Sequence, residues 1–508
     1  MIISKDKLKQ PEILAAFFAF FGGILIHLFA LANVVHNSDD IASHPSGYGV
    51  GVASGRWLLT ILGDFLIKQK MNYNLNWMNG AIFLGFIAIA AALIVAVFHI
   101  KSRQASALLG LVLVSFPTVC STMLYKYTAG YYGLAFLLSV AAVWIHFKSK
   151  WGFVLSALFT ALSLGIYQAY LPVTAALFVL KLGQQTLEED AGPAELLVRS
   201  IKACLSLVFG LVLYYIGVKL SLAYYDVALG TYQGIDKMGQ ISLRELPKLI
   251  LRTYHRFLVL PFKDYCNLAP NRLMKWAYLI LYALTLGSVL TVAVHKKKKI
   301  GNIIIGLLLC AAFPIAVNLI EIMCPTSRIY TLMVYSCVVP ILAPLAILEL
   351  LPKESKLYLR LAKVSAALLL LFVFGNAYFS NVTYTSTYYV NRQTENYMAS
   401  LVAQVRMTEG FDPHKEWLFV GKNSDPMIDH PWQKVPLYGG AEGTNRMISA
   451  YSWQAWITQY LGYKIPVANS ETAEAIKQTE AFIQMPCWPS EGSVQVINDV
   501  IVIKFQEQ

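Results

Sequence analysis

Through its first 380 positions the chain alternates between apolar runs and short basic loops, and this alternation limits what it can fold into. A helix needs about 20 largely apolar residues to cross a hydrocarbon core about 30 Å thick. By that measure about eleven helices are expected, near 13–36, 80–98, 105–124, 130–147, 152–169, 171–182, 201–224, 274–294, 301–323, 329–350 and 361–380. A bilayer offers no water to satisfy backbone groups, so such runs must close their hydrogen bonds internally, as helices. Of the 508 residues, 57% are hydrophobic and 14% charged, against about 25% charged in average soluble domains. That is too little charge to cover a surface in water, so the chain reads as an integral membrane protein.

The basic loops give the orientation. Lys5/Lys7/Lys9, Lys101/Arg103, Lys148/Lys150, Lys181 to Lys202, Lys296–Lys299 and Lys353/Lys356/Arg360 fall at every second turn, which places them together in the cytoplasm. The net charge of +12 is therefore topological, and no nucleic-acid partner is implied. The run from Ile13 to Val35 exceeds the apolar region of about 7–15 residues in a cleaved signal peptide, so it reads as a retained first span with a cytoplasmic N-terminus. The expected location is the plasma (inner) membrane, crossed many times. Asp39-Asp40, the loops at Lys126, Gln168 and Arg328, and everything after Ser380 then lie outside. Tyr167-Gln168-Ala169-Tyr170-Leu171-Pro172 interrupts one long apolar stretch, so the 171–182 run is short unless it extends past Lys181 or re-enters. Seven cysteines show no CxxC or CxxH spacing; Cys266 and Cys324 both fall outside, where a disulfide and two free thiols are the alternatives.

Two outer stretches read as helices at the membrane surface. Arg56–Lys70 carries apolar residues at helical spacing. Residues 241–262 open on a capping-box pattern, Ser242-x-x-Glu245, and carry Arg244, Lys248, Arg252 and Arg256 at i, i+4 steps; Pro247 asks for a kink or a later start. After Ser380 polarity rises. Residues 416–421 and 494–505 read as strands, and 449–461 and 472–479 as helices, so two domains are expected: 1–380 within the membrane and 381–508 as a small extracytoplasmic α/β domain.

The chemistry-bearing residues cluster outside. Asp39 and Asp40 can supply a general base or hold a divalent cation such as Mg or Mn; alternatively the stretch merely caps a helix, for which Asn37, Ser38 and Asp39 all serve. Arg56 and Arg328 offer a bidentate fork to phosphate, or snorkel to lipid head groups. The stripe ending at Arg256, beside His255 and near Lys263, can guide an anionic lipid or simply meet anionic membrane. Gln168, after Tyr167, is polar at a depth that suggests a cavity or a helix partner. Lys126 between two tyrosines reads as interfacial, Gly47–Gly51 as a flexible loop, and Trp417, Trp432, Trp453, Trp456 and Trp488 as sugar-stacking or core residues. No nucleotide-binding glycine motif and no HExxH is present.

Asn37–Ile41 followed by Gly55-Arg56-Trp57, with Tyr167-Gln168 further on, resembles the glucosyltransferase II family of O-antigen and cell-surface polysaccharide glucosyltransferases, within the wider GT-C class. The resemblance implies a GT-C-like polytopic fold. It also implies transfer of a hexose, glucose, from a polyprenyl-phosphate carrier to a cell-surface polysaccharide or its lipid-linked precursor. An acidic base acts with inversion, and the second acidic position, Asp40, is the one the family favours. Arg56, Tyr167, Gln168, Arg256 and Arg328 would then bind the donor. Two rivals stand beside it: a flippase or transporter of lipid-linked sugars, and a polysaccharide polymerase.

Overall fold

Every apolar run carries helix in the computed structural model of the chain, which describes residues 10–188, 191–238, 242, 244–262, 266–296, 300–421, 431–438 and 452–506. Lys5, Lys7, Lys9, Lys263 and Lys297–Lys299 lie outside these, as do residues 241, 243 and 449–451. Among the described residues six helices are long and apolar enough to cross a membrane: Asn76–Phe98, Lys126–Lys148, Pro193–Tyr225, Arg272–Lys296, Ile300–Val317 and Lys356–Arg406. Shorter apolar helices occupy Pro11–Ile26, Arg103–Ser115, Gly152–Ile166 and Tyr335–Leu350. This pattern is compatible with a membrane protein.

The shorter helices have local causes. The first run breaks at His27, which is fully buried and donates from Nε2 to the Val114 carbonyl at 2.8 Å. The run at 105–124 breaks because Phe116, before Pro117, takes an extended conformation, and Pro117 then opens the helix Pro117–Thr122. Tyr167 is likewise extended, ending Gly152–Ile166; after one tight turn the next helix, Leu171–Glu188, continues past Lys181. Residues 246–259 form a helix that starts at Leu246, as Pro247 requires, with Ser242 Oγ accepting from the Arg244 N–H rather than from Glu245.

The described residues divide into two compact units. The first holds those within Met1–Ala32, Ser46–Asn381 and Pro436–Gly440; the second holds those within Asn33–Pro45, Val382–Val435 and Ala441–Gln508. In the first, Asn76–Phe98 packs against Lys126–Lys148 and Pro11–Ile26, and Gly152–Ile166 against Lys126–Lys148 and Pro193–Tyr225.

The second unit contains a three-stranded sheet. Strands β1 (Trp417–Val420), β2 (Val494–Ile497) and β3 (Val500–Lys504) lie in the order β1-β3-β2, with β1 and β3 parallel and β2 and β3 antiparallel. Asn498 and Asp499, both at positive φ, make the two-residue turn that joins β2 to β3. Central β3 is buried throughout: Ile501 and Ile503 face one apolar cluster with Trp417, Trp453 and Trp456, while Val500 and Val502 face another with Ile476 and Phe482. Those tryptophans are core. Trp432 instead stacks on Tyr389 at 5.5 Å.

The C-terminal part of Lys356–Arg406 was not anticipated as helix. Tyr384, Thr387, Asn391, Thr394, Met398, Leu401 and Val405 are all buried, and they recur at alternating three- and four-residue steps, which is one helical stripe. Lys504, buried at the sheet, is satisfied because its Nζ donates to the carbonyls of Phe482 (3.1 Å), Ile483 (3.3 Å) and Met485 (2.7 Å).

Candidate functional site

In the first unit the site is built around the turn Val52–Ser54 and the residue after it. Gly55 has φ 70°, a left-handed conformation, and a Cβ there would lie 2.6 Å from the Tyr214 hydroxyl and 3.1 Å from Gln168 Nε2. Gln168 is buried, and its amide donates to the Ser54 carbonyl at 2.7 Å and to Tyr214 Oη at 2.9 Å. The polar Gln in an apolar run is therefore a clamp on the turn. Trp57 begins the helix Trp57–Lys68 and seats on Gly165 and Gly217, where added Cβ atoms would come within 2.7 and 2.6 Å of the indole.

With both neighbours fixed, Arg56 is directed among tyrosines. Its Nη1 donates to Tyr132 Oη at 3.3 Å, and its Cζ lies 4.8 Å over the Tyr167 ring. Tyr132 and Tyr167 stack at 4.2 Å with ring planes 7° apart. Among the described residues no acidic side chain pairs with Arg56, and its buried Nε has no hydrogen-bond partner. A desolvated cation over an aromatic face gains about 2 kcal/mol, while its forked N–H groups suit a bidentate oxyanion. This is chemistry for holding a phosphate. Tyr132 was not foreseen, since one Tyr in an apolar run looks like any other.

Gly55→Ala should lower the thermal transition of the purified protein by at least the ~1–2 kcal/mol that a left-handed non-glycine residue costs, with the Tyr214 collision added. Tryptophan fluorescence during heating would read this; an unshifted transition would contradict the geometry.

In the second unit, Asn37 caps the short helix Ser38–Ala42: its side chain accepts from the Asp40 N–H at 2.8 Å. The capping role therefore belongs to Asn37, not to the acids. Asp40 is 1% exposed, and its Oδ2 accepts from His36 Nδ1 at 2.5 Å; Asp39 is half-buried. His44 Nδ1 donates to the Asp40 carbonyl at 3.2 Å, and the His36 and His44 rings meet edge-on at 4.5 Å. Asn391 grips His36 by the backbone, accepting from its N–H at 2.7 Å and donating to its carbonyl at 3.1 Å. Trp456 and Tyr460 flank the imidazole, each 6.2 Å from it. Burial, with Glu395 nearby, pushes the Tyr460 hydroxyl well up, so it stays protonated. One nitrogen from each of His36 and His44 and a carboxylate oxygen of Asp40 lie within 4.8 Å of one another, an arrangement that could hold a metal ion; Asp39 is not part of it. The histidines were not foreseen, although His36, Asp40 and His44 stand at four-residue steps.

The remaining candidates lie elsewhere in the first unit. Arg256 pairs with the buried Glu321 through Nη1, and Arg252 Nε lies 3.4 Å from the same carboxylate while its Nη2 donates to the Pro325 carbonyl at 2.9 Å. Two members of the basic stripe thus meet a protein acid. Arg328 is exposed, with its Cζ 5.2 Å over Tyr330. Lys126, read as interfacial, is instead 1% exposed and donates to Asn76 Oδ1. The glycine-rich loop is anchored: Tyr48 donates to Asp64 at 3.0 Å, as does Tyr225 at 2.9 Å. Cys266 and Cys324 are free thiols, as are the other five cysteines.

No curated protein and no solved structure matches the chain. A family model described as glucosyl transferase GtrII matches residues 28–341, more than half of the 508. That range contains Asp39, Asp40, Arg56, Tyr167, Gln168, Arg256 and Arg328. The chain belongs to the glucosyl transferase GtrII family.

Proposed function

We propose that the protein is a membrane glycosyltransferase of GT-C type that moves glucose from a polyprenyl-phosphate carrier to a cell-surface polysaccharide or its lipid-linked precursor, on the extracytoplasmic side and with inversion. The observation that carries this reading is the setting of Arg56: a guanidinium among tyrosines, with no acidic partner among the described residues, in a chain of glucosyltransferase lineage. A lipid-borne phosphate rests at head-group depth while its tail stays in the bilayer, so a cation held at the end of apolar helices suits it. In the reaction the acceptor hydroxyl oxygen attacks the anomeric carbon, and its proton passes to a carboxylate of the Asp39-Asp40 pair. The bond from that carbon to the phosphate oxygen breaks, and its electron pair leaves with the phosphate, whose charge Arg56 receives. Tyr167 and Gln168 keep Arg56 in place. Arg328 is an additional cation for the same anionic donor. Arg256, already on Glu321, acts as a positioning residue.

Purified protein given polyprenyl-phosphate glucose and a lipid-linked glycan should yield a glycoside of the opposite anomeric configuration to the donor, read by NMR. A product of the same configuration would overturn the single-displacement mechanism, and absence of transfer with every acceptor would overturn the reading.

A further inference from the structure

We propose that His36, Asp40 and His44 form a binding site for a divalent transition-metal ion. Three donor atoms, two imidazole nitrogens and one carboxylate oxygen, converge within 4.8 Å from a nine-residue segment of the second unit. Mg²⁺ prefers all-oxygen coordination, whereas imidazole nitrogen with one carboxylate suits zinc, manganese, iron or cobalt. The donor set therefore points away from the Mg ion that a carboxylate pair alone would suggest.

The site is held in place from several directions. Because a carbonyl can only accept, the hydrogen bond from His44 Nδ1 to the Asp40 carbonyl puts the proton on Nδ1 and leaves the lone pair on Nε2. Asn391 fixes the backbone of His36 on both its polar groups, Asn37 fixes that of Asp40, and Gln459 donates to the His44 carbonyl at 3.2 Å. Trp456 and Tyr460 supply an apolar wall beside His36, which limits water access to the ion. His36 Nδ1 donates a proton to Asp40 Oδ2 across 2.5 Å. With bonds of about 2.1 Å to a tetrahedral ion, two ligands stand about 3.4 Å apart, so binding replaces that proton and opens the pair by about 1 Å. Three protein ligands leave a position for a water or a substrate oxygen. This assigns Asp40 to the ion and leaves Asp39 as the base; only that division of labour rests on the transferase reading, since binding of the ion needs no sugar.

The test uses the full-length protein in detergent, freed of metal with a chelator and titrated with Co²⁺, whose visible absorption reports its ligands. Wild-type protein should bind one Co²⁺ per chain, Zn²⁺ should displace it, and excess Mg²⁺ should not. Asp40→Asn and His44→Ala should each weaken binding by on the order of 100-fold, at or beyond the upper end of losses seen for outer-shell changes. Asp39→Asn should leave it intact. Thermal transitions taken without metal identify variants that fold. If His44→Ala does not, His44→Gln at this partly exposed position replaces it. Absence of a stoichiometric cobalt band in the wild type, or equal binding by Asp40→Asn and the His44 variant, would overturn the site. So would a loss confined to Asp39→Asn. A protein that binds cobalt through these residues but transfers no glucose would uphold the site while defeating the proposed function.

Discussion

Replacing Arg56 by alanine should reduce glucosyl transfer by about 10²–10³-fold, the cost of removing one preorganised donor from a developing oxyanion. The loss should appear in kcat, because the phosphate gains charge as its bond to the sugar breaks. Arg56→Lys should recover little: an ammonium is a point charge and cannot reproduce a planar fork held by Tyr132 and stacked over Tyr167. A structural explanation of Arg56 predicts something different. If the guanidinium were there for stability, its removal would lower the thermal transition. The cost of burying part of a guanidinium with no acidic partner among the described residues offsets its gain over the Tyr167 ring, so Arg56→Ala should melt close to the wild-type temperature. Reduced activity together with a markedly lowered transition would contradict the phosphate role.

The second large effect concerns the acids. Either Asp39→Asn or Asp40→Asn should lower transfer by about 10²–10⁴-fold, the range for loss of a general base, but for different reasons. Asp39, half-buried and outside the histidine group, is the base in the proposed division of labour. Its amide variant should lose kcat with KM unchanged and keep its metal. Asp40, at 1% exposure and bonded to His36, should on substitution lose transfer and metal together. A flippase would carry lipid-linked sugar in both variants at near wild-type rates. Full transfer activity in both would end the carboxylate mechanism.

Much of this was legible because membrane spans and turn breakers act locally. Pro247 marks a helix boundary whatever surrounds it, and Tyr167–Pro172 showed as an interruption; the break at Phe116-Pro117 did not, because the run 105–124 stays apolar through it. What escaped was nonlocal or disguised. The stripe from Tyr384 to Val405 contains two threonines and an asparagine at buried positions, so its hydropathy is low although its period is helical. Glu321 lies 65 positions from Arg256, and no spacing rule joins them, so the basic stripe looked directed at lipid alone. Gly55-Arg56-Trp57 stood out as a motif, but the reason for its glycine, contact with Tyr214 and Gln168, needs the fold. His36 and His44 carry no sequence motif, since isolated histidines usually satisfy local hydrogen bonds, and only their shared approach to Asp40 sets them apart.

The central claim is transfer, and it is tested most directly in vesicles containing the protein, polyprenyl-phosphate glucose and acceptor, by following released polyprenyl phosphate and acceptor-bound glucose together. The account predicts that both appear in equal amounts and that both fall together in Arg56→Ala. Glucose that crosses the bilayer still attached to its lipid, with no polyprenyl phosphate released, would contradict it.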